Sequence, residues 1–274
     1  MKHIFISKIK EDLKASDFLA KQLFGVSKNK ILQQIKRGEL RVNGEKAKTD
    51  ITISTGDEVR FFLPSGGDCG ALNEIKIVFE NNNLIVADKP ILCEVETHLL
   101  QQIKKQKEDI AELFPVHRLD TNTTGLVVFA KNKLAEENLK EQFKTRKVQK
   151  FYRAIVVGHI TPKEKQATVY IRKHADKAVV SVKDKPQIGY HEAILNYRLV
   201  NTMKDNSLLD IKLLTGRTHQ IRATMAHLGH PVLGDGKYGN EKTNRAASAS
   251  YQKLRAYKLI LQCGLTIETN PNLK

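Results

Sequence analysis

The sequence has no tryptophan and only 6% aromatic residues, so any core has to be built mainly from aliphatic side chains. Three cysteines, Cys69, Cys93 and Cys263, are too few and too scattered for a disulfide framework, and no Cys-x-x-Cys is present. Reduced thiols in a cytoplasmic protein are expected. No apolar run approaches the ~20 residues of a membrane helix, and the N-terminal lysines lack the apolar stretch of a signal peptide. Acidic residues are also scarce, with 30 Asp+Glu against 46 Lys+Arg and a net charge of +16. A balance this basic suits a polyanion, because each neutralised phosphate releases condensed counterions. A solvated basic surface is the bland alternative. A membrane surface is disfavoured, since no Lys-rich helix with a wide apolar face is present.

The apolar share of 41% over 274 residues supports a packed protein of two unequal domains. Its centre is Val116-His117-Arg118-Leu119-Asp120-Thr121-Asn122-Thr123-Thr124-Gly125-Leu126. The Thr/Asn/Gly run reads as a tight loop, and Leu126 to Ala130 as a buried strand. In an extended chain Arg118 and Asp120 share a face and Leu119 takes the other. An Asp in such a loop often does no more than cap a turn. A kinase catalytic loop is excluded, because Leu and Asp stand in the wrong order and neither a glycine-rich phosphate loop nor Asp-Phe-Gly occurs.

Residues 1–64 read as a small domain. Ser16 is the expected cap of a helix carrying Phe18, Leu19 and Leu23 and ended by Gly25. Ser27 caps a second helix with Ile31, Leu32 and Ile35 inward and Lys28, Lys30, Lys36 and Arg37 outward. Asn43-Gly44 predicts a hairpin turn, and Glu58 to Leu63 a closing strand. This domain holds 13 Lys/Arg and 8 Asp/Glu, only +5 of the +16, so the rest of the chain carries +11. Residues 65–73, rich in Gly and Ser, are the expected linker. In 74–274, strands are expected at Glu74 to Glu80 and Leu84 to Ala87, then a helix over Thr97 to Leu113. Asn132 caps a helix with Ala135, Leu139 and Phe143 on one face. Strands follow at Lys150 to Gly158, Ala167 to Arg172, Ala178 to Val182, Tyr190 to Val200 and Leu208 to Leu214. Strands in succession argue for a mixed or antiparallel sheet. A Gly216 turn then leads to a helix capped by Thr218, with Ile221, Met225 and Leu228 inward, stopped by Gly229-His230-Pro231. Metal binding by His219, His227 and His230 is a competing reading, but no acidic or Cys partner completes the set.

His117-Arg118-Leu119-Asp120, Thr124-Gly125-Leu126 and Ala130-Lys131 resemble the central motif of the RluA-type pseudouridine synthases. Tyr152, the Leu213-to-Arg222 stretch with its sequel to Gly239, and Leu254 to Leu259 resemble further motifs of that family. Ser27, Ile35, Gly38, Val42-Asn43-Gly44 and Gly56-Asp57 resemble the S4 RNA-binding domain. This chain departs from the family at Ile91 to Glu96, at Thr224 and at Arg255, the last two where His is common. The resemblance implies an α+β protein: an S4 domain of two helices and a hairpin, then a synthase domain with a mixed, mostly antiparallel sheet flanked by helices. It implies isomerisation of uridine to pseudouridine in RNA without cofactor or metal, by Asp120 as the catalytic carboxylate. Arg217 is expected to pair with Asp120, and Tyr152 to stack on the uracil and help remove the proton from C5. Arg118, His117, Ile221 and Arg222 are assigned to substrate binding, and Lys28, Lys30, Lys36 and Arg37 to RNA binding. Large-subunit ribosomal RNA is the expected substrate of this monomer, with tRNA as the alternative. A non-catalytic RNA-binding assembly factor is the reading from another class, and the intact trio of Asp120, Tyr152 and Arg217 argues against it.

Overall fold

The computed structural model describes residues 3–8, 12–23, 26, 28–63, 74–174 and 179–273. It divides into two units, Met1–Glu74 and Ile75–Lys274. Ser27 as a cap, Gly25 as a helix stop, Ala178 as a strand start and the 65–73 linker lie outside the described residues.

In the first unit, β1 (His3–Lys8), β2 (Leu13–Lys14), α1 (Ala15–Gln22) and α2 (Lys28–Lys36) precede β3 (Leu40–Val42), β4 (Glu45–Ala47), β5 (Thr52–Ile53) and β6 (Glu58–Leu63). The sheet order is β1-β6-β3-β4, and β2 pairs with β5. Asn43 and Gly44, at φ 52° and 86°, make the hairpin turn, since two left-handed residues match the strand twist. Phe18, Leu19, Ile31, Ile35, Leu40 and Phe61 fill the core between the helices and the sheet. Ser16 is not the cap of α1. The helix starts one residue earlier, and Asp50 takes the first-turn donors instead, accepting from Ser16 N at 2.8 Å and Ser16 Oγ at 2.6 Å. A carboxylate at a helix N-terminus is favoured by the exposed amides there.

The second unit carries β7 (Ile77–Glu80), β8 (Leu84–Lys89), a π-helical turn (Val95–Leu99) running into α3 (Leu100–Gln106), β9 (Phe114–Pro115), β10 (Thr124–Ala130) and α4 (Lys133–Lys144). Then come β11 (Gln149–Val157), β12 (Glu164–Lys173), β13 (Val180–Lys183), β14 (His191–Thr202), β15 (Asn206–Leu213), α5 (Gln220–His227), α6 (Glu241–Ala246), β16 (Leu254–Ile260) and β17 (Thr266–Glu268). The sheet order is β13-β12-β14-β15-β11-β16-β10-β8-β7, with β17 on β16 and β9 on β10. Every pairing is antiparallel except β10 with β16, so the protein is α+β with a mixed sheet. Asn132 caps α4 by accepting from Ala135 N. Among the described residues no helix is long and apolar enough to cross a membrane.

The helix expected over 97–113 stops at Gln106. Its side-chain amide grips the Ile75 backbone twice, at 2.7 and 3.1 Å, and the chain then enters the sheet at Phe114–Pro115. Pro115 holds Phe114 out of the helical region. Gly125, the second residue of β10, stands at φ +112°, where an added Cβ would lie 2.0 Å from Ala256 O on β16. Gly125→Ala therefore meets both backbone strain and a backbone clash, and should cost roughly 3 kcal/mol. An unshifted urea midpoint for this variant would contradict the close β10–β16 approach.

Candidate active site

Asp120 stands at the end of an irregular stretch whose backbone is held on all sides. Val116 N donates to Val128 O, and His117 Nε2 accepts from Val128 N at 3.0 Å. The His117 ring stacks on Phe143 with centroids 4.3 Å apart, and burial pushes its pKa down to about 3, aided by Lys150. His117 is therefore neutral and occupied as a backbone-like acceptor of β10, although it borders the cleft. Leu119 is buried while Arg118 is exposed, its Nη1 3.8 Å from Glu96, so the alternation expected from the sequence is present. Thr123 N returns to Asp120 O at 2.9 Å. Lys89, fully buried, donates to Thr121 O, Cys93 O and Pro90 O at 2.8–3.0 Å. Burial pulls its pKa down to about 8 against the nearby Asp120 and Glu94 carboxylates. Cys93 N also donates to Thr121 O, and Gln252 Nε2 reaches Thr123 Oγ1 at 2.5 Å. Within the departure at 91–96, Cys93 thus anchors the loop through its N–H and holds Lys89 through its carbonyl.

The other half of the site is the turn into α5. Buried Gln220 shapes it: Oε1 accepts from Thr215 Oγ1 and Arg217 N at 2.8 and 2.9 Å, while Nε2 donates to Ile194 O at 3.0 Å. Thr218 is not the cap. His219 holds the flanking position in a left-handed conformation, without a side-chain cap.

Arg222, and not Arg217, pairs with Asp120. Its Nη1 donates to Asp120 Oδ2 at 2.7 Å, while Nε and Nη2 fork onto Asp235 at 2.7 and 2.9 Å. Arg217 lies on the turn outside the helix, and its Nε donates to Glu192 O at 3.1 Å. Asp235 accepts further from Lys237 N and Tyr238 N. Burial alone would raise its pKa, but the Arg222 fork and these amides hold it below the usual carboxylate range. Burial likewise opposes the Arg222 charge, and the two carboxylates outweigh it. The sequence signal for this arrangement was an arginine between Ile221 and Ala223 on a helix with apolar Met225. A buried guanidinium requires carboxylates, and Asp235 follows thirteen residues later.

The two halves enclose a cleft of about 820 Å³. Tyr152 and Ile221, both buried, form part of its wall. Burial pushes the Tyr152 phenol up, with the Asp120 charge adding to the effect, so it stays protonated. Arg118, Lys140, Lys144, Lys150, Lys173 and Arg217 line it with Arg222, whereas Asp120 is the one acidic lining residue among the described residues. The three histidines of the metal reading take separate partners: His219 meets Tyr238, His227 meets Asp184 and His230 meets Val157 O. In the first unit, Lys36 and Arg37 are exposed, Lys28 pairs with Asp17 at 2.5 Å and Lys30 is half-buried.

Comparisons with known proteins place both units in known families. The family described as RNA pseudouridylate synthase matches residues 83–227, and the S4 domain matches residues 16–59. An uncharacterised RNA pseudouridine synthase of Chlorobaculum parvum is 32% identical over 255 residues, covering 85% of this chain and 77% of that protein. Ribosomal large subunit pseudouridine synthase D of Pseudomonas aeruginosa is 32% identical over 237 residues, covering 81% of this chain and 73% of its own. Ribosomal large subunit pseudouridine synthase C of Vibrio cholerae is 27% identical, with 85% and 80% covered. The solved structure of human RNA pseudouridylate synthase domain containing 1 matches with a TM-score of 0.65 at 25% identity, over 74% of this chain and 85% of that one.

Proposed function

The chain belongs to the RNA pseudouridylate synthase family, with an S4 domain ahead of the synthase domain, and from that premise we propose that it isomerises specific uridines of large-subunit ribosomal RNA through the carboxylate of Asp120. The observation that carries this reading is the placement of Asp120, the one carboxylate among the described lining residues, in a cleft that also presents seven lysines and arginines. Cations at the mouth suit phosphates, and a lone fixed carboxylate suits chemistry at a sugar. Among the described residues Arg222 at 2.7 Å and His219 at 3.9 Å both approach Asp120 at Oδ2. Oδ1 is thereby left to the substrate. The names of the relatives favour large-subunit RNA over tRNA.

In the reaction the N1–C1′ bond of uridine breaks, the uracil turns, and a C5–C1′ bond forms. C5 loses a proton and N1 regains one, so the product is an isomer. Asp120 Oδ1 either attacks C1′ or removes the C2′ proton to give a glycal. Arg222 orients the carboxylate, and Asp235 keeps Arg222 in place. Tyr152 offers its ring to the uracil. Its raised pKa suits a protonated hydrogen-bonding group more than a base for the C5 proton. The target base has to leave its stack to enter the cleft, and exposed Arg118 is placed to hold the displaced strand.

Tritium release from RNA labelled at uridine C5 tests the assignment. Release is expected from large-subunit ribosomal RNA, as a transcript or within immature subunits. Release from tRNA transcripts alone would move the substrate class, and none from any of these would overturn the function. Arg217, away from Asp120, is read as a phosphate contact. Arg217→Ala should weaken RNA binding several-fold and reduce the slope of log affinity against log salt by about 1. An unchanged salt slope would remove Arg217 from the interface.

A further inference from the structure

His219 is a non-glycine residue at φ 53° and ψ 21°, a left-handed conformation that L-residues adopt at some cost and that often marks a functional position. Its side chain, 14% exposed, faces the cleft beside Asp120. Nδ1 lies 2.9 Å from Tyr238 Oη, and that oxygen already accepts from Val180 N at 2.8 Å. The phenolic hydrogen needs an acceptor, and His219 Nδ1 is the one at hand. An imidazole that accepts at Nδ1 carries its hydrogen on Nε2. Nε2 lies 3.9 Å from Asp120 Oδ2, beyond hydrogen-bond reach, and Arg222 already occupies that oxygen. Among the described residues this N–H has no acceptor.

We propose that His219 is a further catalytic residue, an Nε2–H donor to the nucleotide seated against Asp120, and that Tyr238 is the positioning residue that fixes which nitrogen bears the hydrogen. The proposal rests on the synthase reading above. Asp120 works at C1′ or at the C2′ hydrogen, so a donor beside the same carboxylate meets the ribose edge. The sugar stays seated while the uracil detaches and turns, and a donor fixed to the protein can serve it throughout. The ring is uncharged in this role: burial holds its pKa below the ordinary value, Asp120 opposes that shift, and Arg222 and Lys237 reinforce it. A cation at this place would compete with Arg222 for the carboxylate.

Single-turnover tritium release from C5-labelled large-subunit RNA tests this, with RNA affinity and thermal unfolding measured alongside. Asparagine tolerates the left-handed backbone, but its amide ends at the level of Nδ1. Glutamine places an N–H where Nε2 stands. His219→Asn should slow the reaction on the order of 10²-fold, the scale of one lost donor to reacting atoms, with RNA affinity little changed. His219→Gln should recover most of that loss. Tyr238→Phe should cost about tenfold in wild type by releasing the tautomer, and nothing further in His219→Asn. A Gln variant as slow as the Asn variant, or losses that multiply in the double variant, would overturn the proposal while leaving the synthase reading intact. A wild type that releases no tritium would instead remove the synthase reading, and this proposal with it.

Discussion

Asp120→Asn is expected to stop isomerisation while the protein stays folded and keeps its RNA. Asparagine matches the carboxylate in shape, and its carbonyl can still accept from Arg222 Nη1, now 2.7 Å from Oδ2. The Arg222–Asp235 fork, with bonds of 2.7 and 2.9 Å, is untouched, so α5 keeps its place. What disappears is the charge and nucleophilicity of Oδ1, the group that either proposed route requires at the sugar. The single-turnover rate should fall by a factor on the order of 10⁴ or more. Affinity should move little, because the proposed phosphate contacts fall to the lysines and arginines lining the cleft. Losing a negative lining charge would tighten RNA binding slightly if it acts at all. Tritium release and filter binding on the same preparation separate the two quantities. Turnover within tenfold of wild type would remove Asp120 from the chemistry, whatever its position.

How far the sequence revealed this site depended on whether the controlling contact was local. The loop around Asp120, strand β10, the Asn43–Gly44 turn and the Asn132 cap were all legible, because Asn, Thr, Gly and β-branched residues act within a few positions. The segments that became β11 and β15 were legible as strands for the same reason. Arg222 was assigned to the substrate and Arg217 to Asp120, although the ion pair that forms joins positions 102 apart. Both arginines stand in the same segment, and only the start of α5, set by Gln220, turns one toward Asp120 and leaves the other on the turn. Asp50 capping α1 from 34 positions away was equally hidden. So was Lys89, whose lysine-proline context gave no sign that its ammonium holds three carbonyls around the loop. A stricter use of burial would have found part of this. An arginine on an apolar helix face predicts carboxylate partners, and a charge-bearing residue at the end of a buried strand predicts a purpose for its charge.

Asp235→Asn should strike the same guanidinium from the other side, and there the loss is of structure before chemistry. The Asp235 side chain is fully buried and accepts four hydrogen bonds, from Arg222 Nε and Nη2 and from the amides of Lys237 and Tyr238. Asparagine offers one acceptor oxygen, so its NH₂ has to face either the guanidinium or the amides, donor against donor. Breaking one side of a buried pair in this way typically costs about 3–5 kcal/mol. The pH dependence carries a sign. The folded-state pKa of Asp235 is depressed, so its contribution is fully present above the unfolded Asp value of about 3.9 and is lost as pH falls through the folded value. The gap between wild type and variant should therefore hold from neutral pH down to about pH 5 and narrow below about pH 4. Urea midpoints across that range measure it, and a gap that stays constant into strong acid would mean the fork is not what stabilises this region. Activity should fall as well, since an Arg222 released from Asp235 no longer presents Nη1 to Asp120 in a fixed direction. Asp120→Asn is then silent in unfolding and severe in turnover, whereas Asp235→Asn is severe in unfolding and partial in turnover. That opposition follows from one arginine whose Nε and Nη2 are anchored on Asp235 while its Nη1 meets the carboxylate proposed for the reaction.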